Sequence, residues 1–188
     1  LSPNYELHTT LSWVAGLTTR IGLGASVAVL PIRNALLNAR QLATLDVYSG
    51  GRLSYGVGAG WLKEEADAMG MPWDRRGARA DDMIALLRTL WTAEGETVEY
   101  HGQFYDVPEI GVHPLPVQRP IPIYVGGHSD VALDRVARLA DGWIAAGDAE
   151  LWTQIFSQNR EAVLDALRRF EHQLAALDSA IAAGDPAA

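Results

Sequence analysis

Residues 21 to 60 read IGLGASVAVLPIRNALLNARQLATLDVYSGGRLSYGVGAG, and this stretch decides the fold. Its first part, Ile21 to Val29, is apolar and small. It is too short for a buried helix and rich enough in Val and Ile to be a buried strand. Pro31 breaks it, and Asn34 to Val47 follows with Leu36, Ala39, Ala43 and Val47 at helical spacing. Ser49-Gly50-Gly51 stops that helix, because glycine accepts the left-handed conformation a helix C-terminus needs. Leu53 to Val57 is a second strand, running into the turn Gly56-Val57-Gly58-Ala59-Gly60. Strand, helix and strand in that order make a unit with parallel strands.

The same alternation continues outward. Asp81 to Trp91 places Met83, Ile84, Leu87, Leu90 and Trp91 on one helical face. Glu96 to Val107 holds two short runs around His101-Gly102, the pattern of a surface hairpin. Val112 to Pro122 carries four prolines and reads as an extended connector. Ile121 to Val125 is a third strand, ending in Gly126-Gly127. Ser129 caps the next helix, with Asp130 in its first turn and Leu133, Val136 and Ala137 predicted to face inward. Asp141 to Ala145 is a fourth, short strand. From Leu151 onward an apolar seam steps by three and four residues, predicting a packed outer helix over 150–182 and a frayed tail from Gly184. Four strand-helix units predict a parallel α/β sheet, and glycines at the ends of two strands point to a site on a barrel face or in a crevice.

Composition narrows the function. The chain has 188 residues, 48% of them hydrophobic, enough to bury roughly 70% of its unfolded surface. It contains no cysteine, so thiolate zinc sites, disulfides and cysteine nucleophiles are excluded. Fifteen basic against 23 acidic residues give a net charge of -8, which argues against nucleic acid as a partner. The aromatics are not interleaved with Lys and Arg, as single-strand stacking needs. No apolar run reaches the roughly 18 residues of a membrane span. Leu1 to Thr10 show no signal peptide, so a cytoplasmic location is the default. The five histidines show no metal spacing, and neither a Gly-x-Ser-x-Gly elbow nor a dinucleotide fingerprint occurs. Gly58-Ala59-Gly60 and Gly126-Gly127 suit close backbone approach by a ligand, and the second pair precedes a helix N-terminus, a ready anion site. An ordinary strand-to-helix turn explains the same residues without a ligand. Arg52, Asp46 and Arg76 read as fold-holding ion pairs.

The motifs resemble a known family. Gly22-Leu23-Gly24-Ala25-Ser26-Val27-Ala28-Val29-Leu30-Pro31 is similar to the third barrel strand of bacterial-luciferase-like monooxygenases. Ala43-Thr44-Leu45-Asp46, Ser49-Gly50-Gly51-Arg52-Leu53 and Gly56-Val57-Gly58-Ala59-Gly60-Trp61 resemble the fourth strand and its glycine turn. Asp74-Arg75-Arg76-Gly77 with Asp81, Val117-Gln118-Arg119-Pro120-Ile121-Pro122, Val125-Gly126-Gly127-His128-Ser129 and Asp141-Gly142-Trp143-Ile144 follow in the family's order. The resemblance spans the middle of the chain, about 11–146, within a single expected domain over 1–188. It is nearest to the branch that uses the deazaflavin coenzyme F420.

That resemblance implies a (β/α)8 barrel, here partial, with a flavin or deazaflavin in its C-terminal mouth. The family's first two strands and its last ones have no counterpart, and the chain begins without Met. A piece of a longer protein, or a sheet closed by an oligomer, is therefore expected. The implied function is an oxidoreductase that transfers hydride between F420 and a small organic substrate. An FMN-dependent monooxygenase using O2 and a non-catalytic flavin-binding remnant are the alternatives. Ala25, Ser26 and Val27 are implied to bulge against the cofactor ring through a non-prolyl cis bond at Ser26-Val27. Gly58, Ala59, Gly60, Gly126, Gly127, His128 and Ser129 are implied to hold the cofactor, and Trp61 to wall the substrate pocket. The catalytic group is unassigned, with Glu64 and Glu65 as candidates, no metal is called for, and a homodimer is expected.

Overall fold

The computed structural model describes residues 5–145. The chain divides into two units, Leu1–Ala146 and Gly147–Ala188, and the described residues belong to the first. The outer helix expected over 150–182 and the frayed tail lie outside the described residues.

The elements run α1 (Leu7–Leu17), β1 (Leu23–Gly24), β2 (Ala28–Val29), α2 (Ala35–Ser49), β3 (Leu53–Gly58), α3 (Lys63–Ala68) and α4 (Arg76–Trp91). There follow β4 (Thr97–His101), β5 (Asp106–Gly111), β6 (Ile123–Gly126), α5 (Asp130–Leu139) and β7 (Gly142–Ile144). β1 and β2 both pair with β3, β3 with β6 and β6 with β7, every pair parallel. The sheet thus fills four consecutive strand positions, of the eight that close a (β/α)8 barrel. It is a partial barrel of α/β class, and β4 and β5 form the separate antiparallel hairpin that the sequence predicts.

The local signals act as read. Asn34 caps α2 by accepting from Leu37 N at 2.9 Å, and Gly50 ends it in the left-handed region at φ 65. Leu53, Tyr55 and Val57 alternate along β3 into the core, where the Tyr55 hydroxyl donates to Asn38 Oδ1 on α2 at 3.1 Å. Trp91 of α4 is buried there too and donates to the Ala39 carbonyl at 3.1 Å. Asp141 fastens the sheet to α4: its Oδ2 accepts from Ile123 N and from Arg88 Nη2, both at 2.8 Å.

Three expectations are corrected. The strand read over Ile21 to Val29 is two short pieces, because the chain leaves the pairing between Gly24 and Ala28 and passes close over β3. On α5 Val136 packs half-buried on the core as expected, but the buried residues are Ala132 and Arg135, whereas Leu133 is 40% exposed and Ala137 is exposed. The helix is turned so that Ala132 packs beneath Gly127 and Arg135 reaches Asp81 on α4. Arg52, Asp46 and Arg76 make no ion pair among the described residues. Arg52 donates instead to the Ser49, Ile21, Thr18 and Ala15 carbonyls, and fully buried Asp46 accepts from Gln118 N at 2.9 Å and Gln118 Nε2 at 2.8 Å. Carbonyl dipoles and amide donors satisfy these groups without a second buried charge.

The helix α1 was not foreseen. His8 anchors it, 4% exposed and stacked on Tyr55 at 6.4 Å between ring centres. Its Nδ1 accepts from Arg33 Nη1 at 3.0 Å, which leaves the ring proton on Nε2, buried without a partner. Burial, and then the Arg33 charge, hold this imidazole below its ordinary 6.5 against the pull of Glu6. The folded state therefore favours the neutral ring, so the stability it contributes is full above about pH 6.5 and is lost as pH falls below it. Burial pushes the Glu6 carboxyl up, but hydrogen bonds from the Thr9 and His8 backbone and from Arg33 outweigh it and hold it at about 2, opening a second window below its ordinary 4.5. Urea unfolding should show stability declining from pH 7.5 to 5.5, and His8→Gln should flatten that slope; an unchanged slope would refute the assignment.

Candidate functional site

A cleft of about 730 Å³ opens at the C-terminal ends of the parallel strands. Val29 closes β2 there, Gly58 ends β3, Gly126 ends β6 and Ile144 ends β7, and all four line it. Its size falls within the range of small-molecule and cofactor sites, and its position is where barrel enzymes place them.

Nine of the residues singled out in the sequence share this one hollow: Ser26, Val27, Gly58, Ala59, Gly60, Trp61, Gly126, Gly127 and Ser129. The Ser26–Val27 peptide is cis, at the bond expected. Val27 lies over the strand ends. A Cβ at Gly58 would stand 2.9 Å from its Cγ2, and one at Gly126 would stand 2.8 Å from its Cγ1. A Cβ on Gly60 would likewise meet Val29 Cγ1 at 2.8 Å. The glycines therefore make room for valine methyls as well as for a ligand, a packing reason that spacing alone did not reveal. Gly127 sits at φ 131, a backbone conformation that favours glycine, and its carbonyl accepts from Trp143 Nε1 at 2.8 Å. Ser129 caps α5 by accepting from Ala132 N at 3.3 Å.

The remaining expected residues lie outside the lining. Ala25 sits beneath the floor, its carbonyl oxygen packed against Gly56 in the space a Cβ there would take. His128 is exposed and stands edge-on to Trp143, with ring centres 6.0 Å apart. Trp61, one of the nine that do line it, stands at the rim, 83% exposed. Glu64 and Glu65 occupy the exposed first turn of α3; Glu65 borders a small neighbouring cavity with Trp73 and Arg76, and neither lines the cleft.

Sequence reasoning missed the charged part of the lining. Arg76 and Gly77, from the start of α4, and Arg135, from α5, complete the lining. Arg76 stacks on Trp73 at 4.0 Å and donates from Nε to the Gly60 carbonyl at 3.2 Å, bracing the glycine turn. Among the described residues, these two arginines are the charged side chains of the cleft, and no carboxylate lines it. In a chain of net charge -8, the charged side chains that line this hollow are thus both positive.

The luciferase-like monooxygenase family model matches residues 3–184. The chain belongs to that family, whose members include F420-dependent and FMNH2-dependent enzymes. The uncharacterized protein Rv0940c of Mycobacterium tuberculosis is 42% identical over 145 residues, which cover 77% of this chain and 49% of the relative. An FMNH(2)-dependent dimethylsulfone monooxygenase of Pseudomonas putida is 38% identical over 117 residues, 60% of this chain and 32% of that one. Among solved structures, the coenzyme F420 dependent tetrahydromethanopterin reductase of Methanopyrus kandleri aligns with a TM-score of 0.62 at 27% identity, covering 74% of this chain and 44% of that one. The chain spans about half the length of the relatives it matches. No helix of the described residues is long and apolar enough to cross a membrane.

The packing of Val27 over the glycines makes a direct prediction. Gly126→Ala should lower unfolding free energy by about 1–3 kcal/mol, the usual cost of overpacking. In the double variant Val27→Ala/Gly126→Ala part of that loss should return, because the clash is gone. Chemical denaturation of the four forms measures the coupling; strict additivity would mean that the two side chains do not compete for space.

Proposed function

We propose that the cleft holds the phosphate-bearing tail and one ring face of a tricyclic redox cofactor, coenzyme F420 in our first reading. The whole protein would then be an oxidoreductase that acts on a small organic molecule. The observation that carries this reading is the shared hollow of Gly58, Gly60, Gly126, Gly127 and Ser129, in which only arginines bring charge. When bound, the cofactor supplies the chemistry, accepting or donating a hydride at its C5. The protein's part is to bind, orient and shield. Gly126, Gly127 and Ser129 at the start of α5 would take the phosphate, where backbone N–H groups and the helix dipole favour an anion. Val27 would press on the ring from the floor, while Trp61 at the rim would wall the substrate side with an aromatic face. Among the described residues no carboxylate lines the cleft, so a role for Glu64 or Glu65 in proton transfer would need α3 to move toward it. The family likeness supports the reading, including the alignment with the F420-dependent reductase.

A second reading replaces F420 with FMN and makes the enzyme a monooxygenase. One observation favours it, the 38% identity to the FMNH(2)-dependent dimethylsulfone monooxygenase.

Fluorescence titration of the purified protein with F420 and, separately, with FMN distinguishes the two. Tighter binding of F420 is expected; binding of FMN alone would leave the second reading standing, and binding of neither would remove both. Gly127→Ala should weaken whichever cofactor binds by about tenfold or more, since its methyl would strain the φ 131 turn and strike Ala132.

A further inference from the structure

Among the described residues, Arg135 is the one buried cation. Its side chain is 7% exposed, and its Nε donates to Asp81 Oδ1. Arg138 Nη2 lies 3.5 Å from Oδ2 of the same Asp81, but its Nε donates to Asp134 Oδ2 at 2.8 Å, so Asp81 is left mainly to Arg135. The two guanidiniums and the two carboxylates of this cluster balance in charge, and of the four residues Arg135 is the one that lines the cleft. A guanidinium carries five N–H donors in a fixed fork, and Asp81 occupies one edge of it. Among the described residues, neither Nη of Arg135 makes a hydrogen bond, and neither is sealed from the surface. Nη2 lies 2.8 Å from the place a Cβ would take on Gly77, so the first turn of α4 is kept bare where the fork passes. Both Gly77 and Arg135 line the cleft beside Gly126, Gly127 and Ser129. Arg76, the other cation there, is already committed to the Gly60 carbonyl and the Trp73 ring.

A guanidinium buried this deeply is held at a cost unless its donors are used. Resting on the cofactor reading above, we propose that Arg135, aimed from behind by Asp81, is the specificity residue that reads the phosphate. Its free Nη edge is matched to a phosphate oxygen pair, the fork-to-anion geometry for which arginine is suited. Asp81 is a positioning residue: it fixes the Nε edge and leaves the Nη edge toward the cleft. The turn at Gly126–Ser129 would supply backbone donors, and Arg135, on the helix which that turn opens, would supply charge. The cleft thereby selects phosphorylated over phosphate-free forms of the tricyclic group.

Two dye pairs test this on the full chain: FMN against riboflavin, and F420 against its phosphate-free deazaflavin chromophore. The wild type should bind the phosphorylated member of at least one pair about tenfold to a hundredfold more tightly, the worth of a charge-assisted contact. Arg135→Gln should bring that ratio close to one while the phosphate-free dye keeps its affinity within about twofold. Arg135→Lys, which keeps the charge but not the fork, should retain part of the preference. Asp81→Asn should lower the ratio without abolishing it. The double variant Asp81→Asn/Arg135→Gln, in which no charge is left unpaired, should behave as Arg135→Gln does and guards against misfolding of the single variant. A ratio unchanged in both Gln-bearing forms overturns the role of Arg135 and leaves the cofactor reading intact. Equal loss of both dyes in the double variant also overturns it, since the residue would then be part of the wall only. Failure of the wild type to bind any of the four dyes removes the cofactor reading and this inference together.

Discussion

Between Gly24 and Ala28 the chain leaves strand pairing and crosses so close over β3 and β6 that three positions beneath it have no room for a β-carbon. The Ala25 carbonyl fills the space above Gly56, and the two Val27 methyls fill those above Gly58 and Gly126. Glycine in a strand costs roughly 0.5–1 kcal/mol relative to alanine, and here it recurs in two neighbouring strands. What the sheet gains is a floor: a valine set across two strand ends at the point where the cleft opens. Every other lining residue is arranged around that floor, with Gly60 and Trp61 leaving β3 on one side and Gly127 and Ser129 leaving β6 on the other.

Charge follows from the same arrangement. The floor is apolar and its two glycine turns are mostly bare backbone, so the charged side chains of the hollow come from α4 and α5, which carry Arg76 and Arg135. Both helices turn their N-terminal ends toward it, adding partial positive charge to that of Arg76 and Arg135. Among the described residues no carboxylate enters the lining, so in a molecule of net charge -8 the charged side chains of this concave place are two arginines, one of them paired with Asp81. Arg76 is immobilised by Trp73 and the Gly60 carbonyl. The wall is in this sense assembled before any ligand arrives, which lowers the ordering cost of binding.

The sequence made the strand-helix order legible because each boundary carries its own chemistry: Asn34 and Ser129 as caps, Gly50 as a stop, prolines along the connector. It also made the glycine half of the cleft legible, since Gly58 to Gly60 and Gly126 to Gly127 are contiguous runs. The arginine half was hidden. Arg76 and Arg135 lie far apart in sequence on different helices, and nothing local marks either as facing a cavity. On α5 the reading chose Leu133 and Ala137 for the core because they are apolar; packing under Gly127 and the reach to Asp81 turned Ala132 and Arg135 inward instead. α1 escaped notice for a related reason. Its large apolar residues Trp13 and Leu17 are 68% and 56% exposed, while Leu7, Leu11 and Val14 pack on the core beside His8 and Ala15, so apolar residues surround the helix and mark no single face. The break in the first strand is likewise invisible to periodicity, because the run from Ile21 to Val29 is apolar throughout. Only the family resemblance pointed to Ser26–Val27.

Half a barrel can do part of a cofactor site's work, and which part follows from the strand order. β3 and β6 are the two inner positions of the sheet, hydrogen-bonded on both sides, and they carry the glycine turns that meet the proposed phosphate. The edge positions, β1 with β2 and β7, carry the floor valine and Ile144. The anion end of the cleft therefore rests on the most firmly paired strands, and the ring end lies against strands with one free edge. A phosphate held among fixed amides and guanidiniums requires little from beyond this segment. A redox ring must be covered on both faces to exclude water, and the described residues supply one face only. On the reading proposed above, recognition of the cofactor's tail would fall to this stretch, and choice of substrate to whatever covers the other side of the ring.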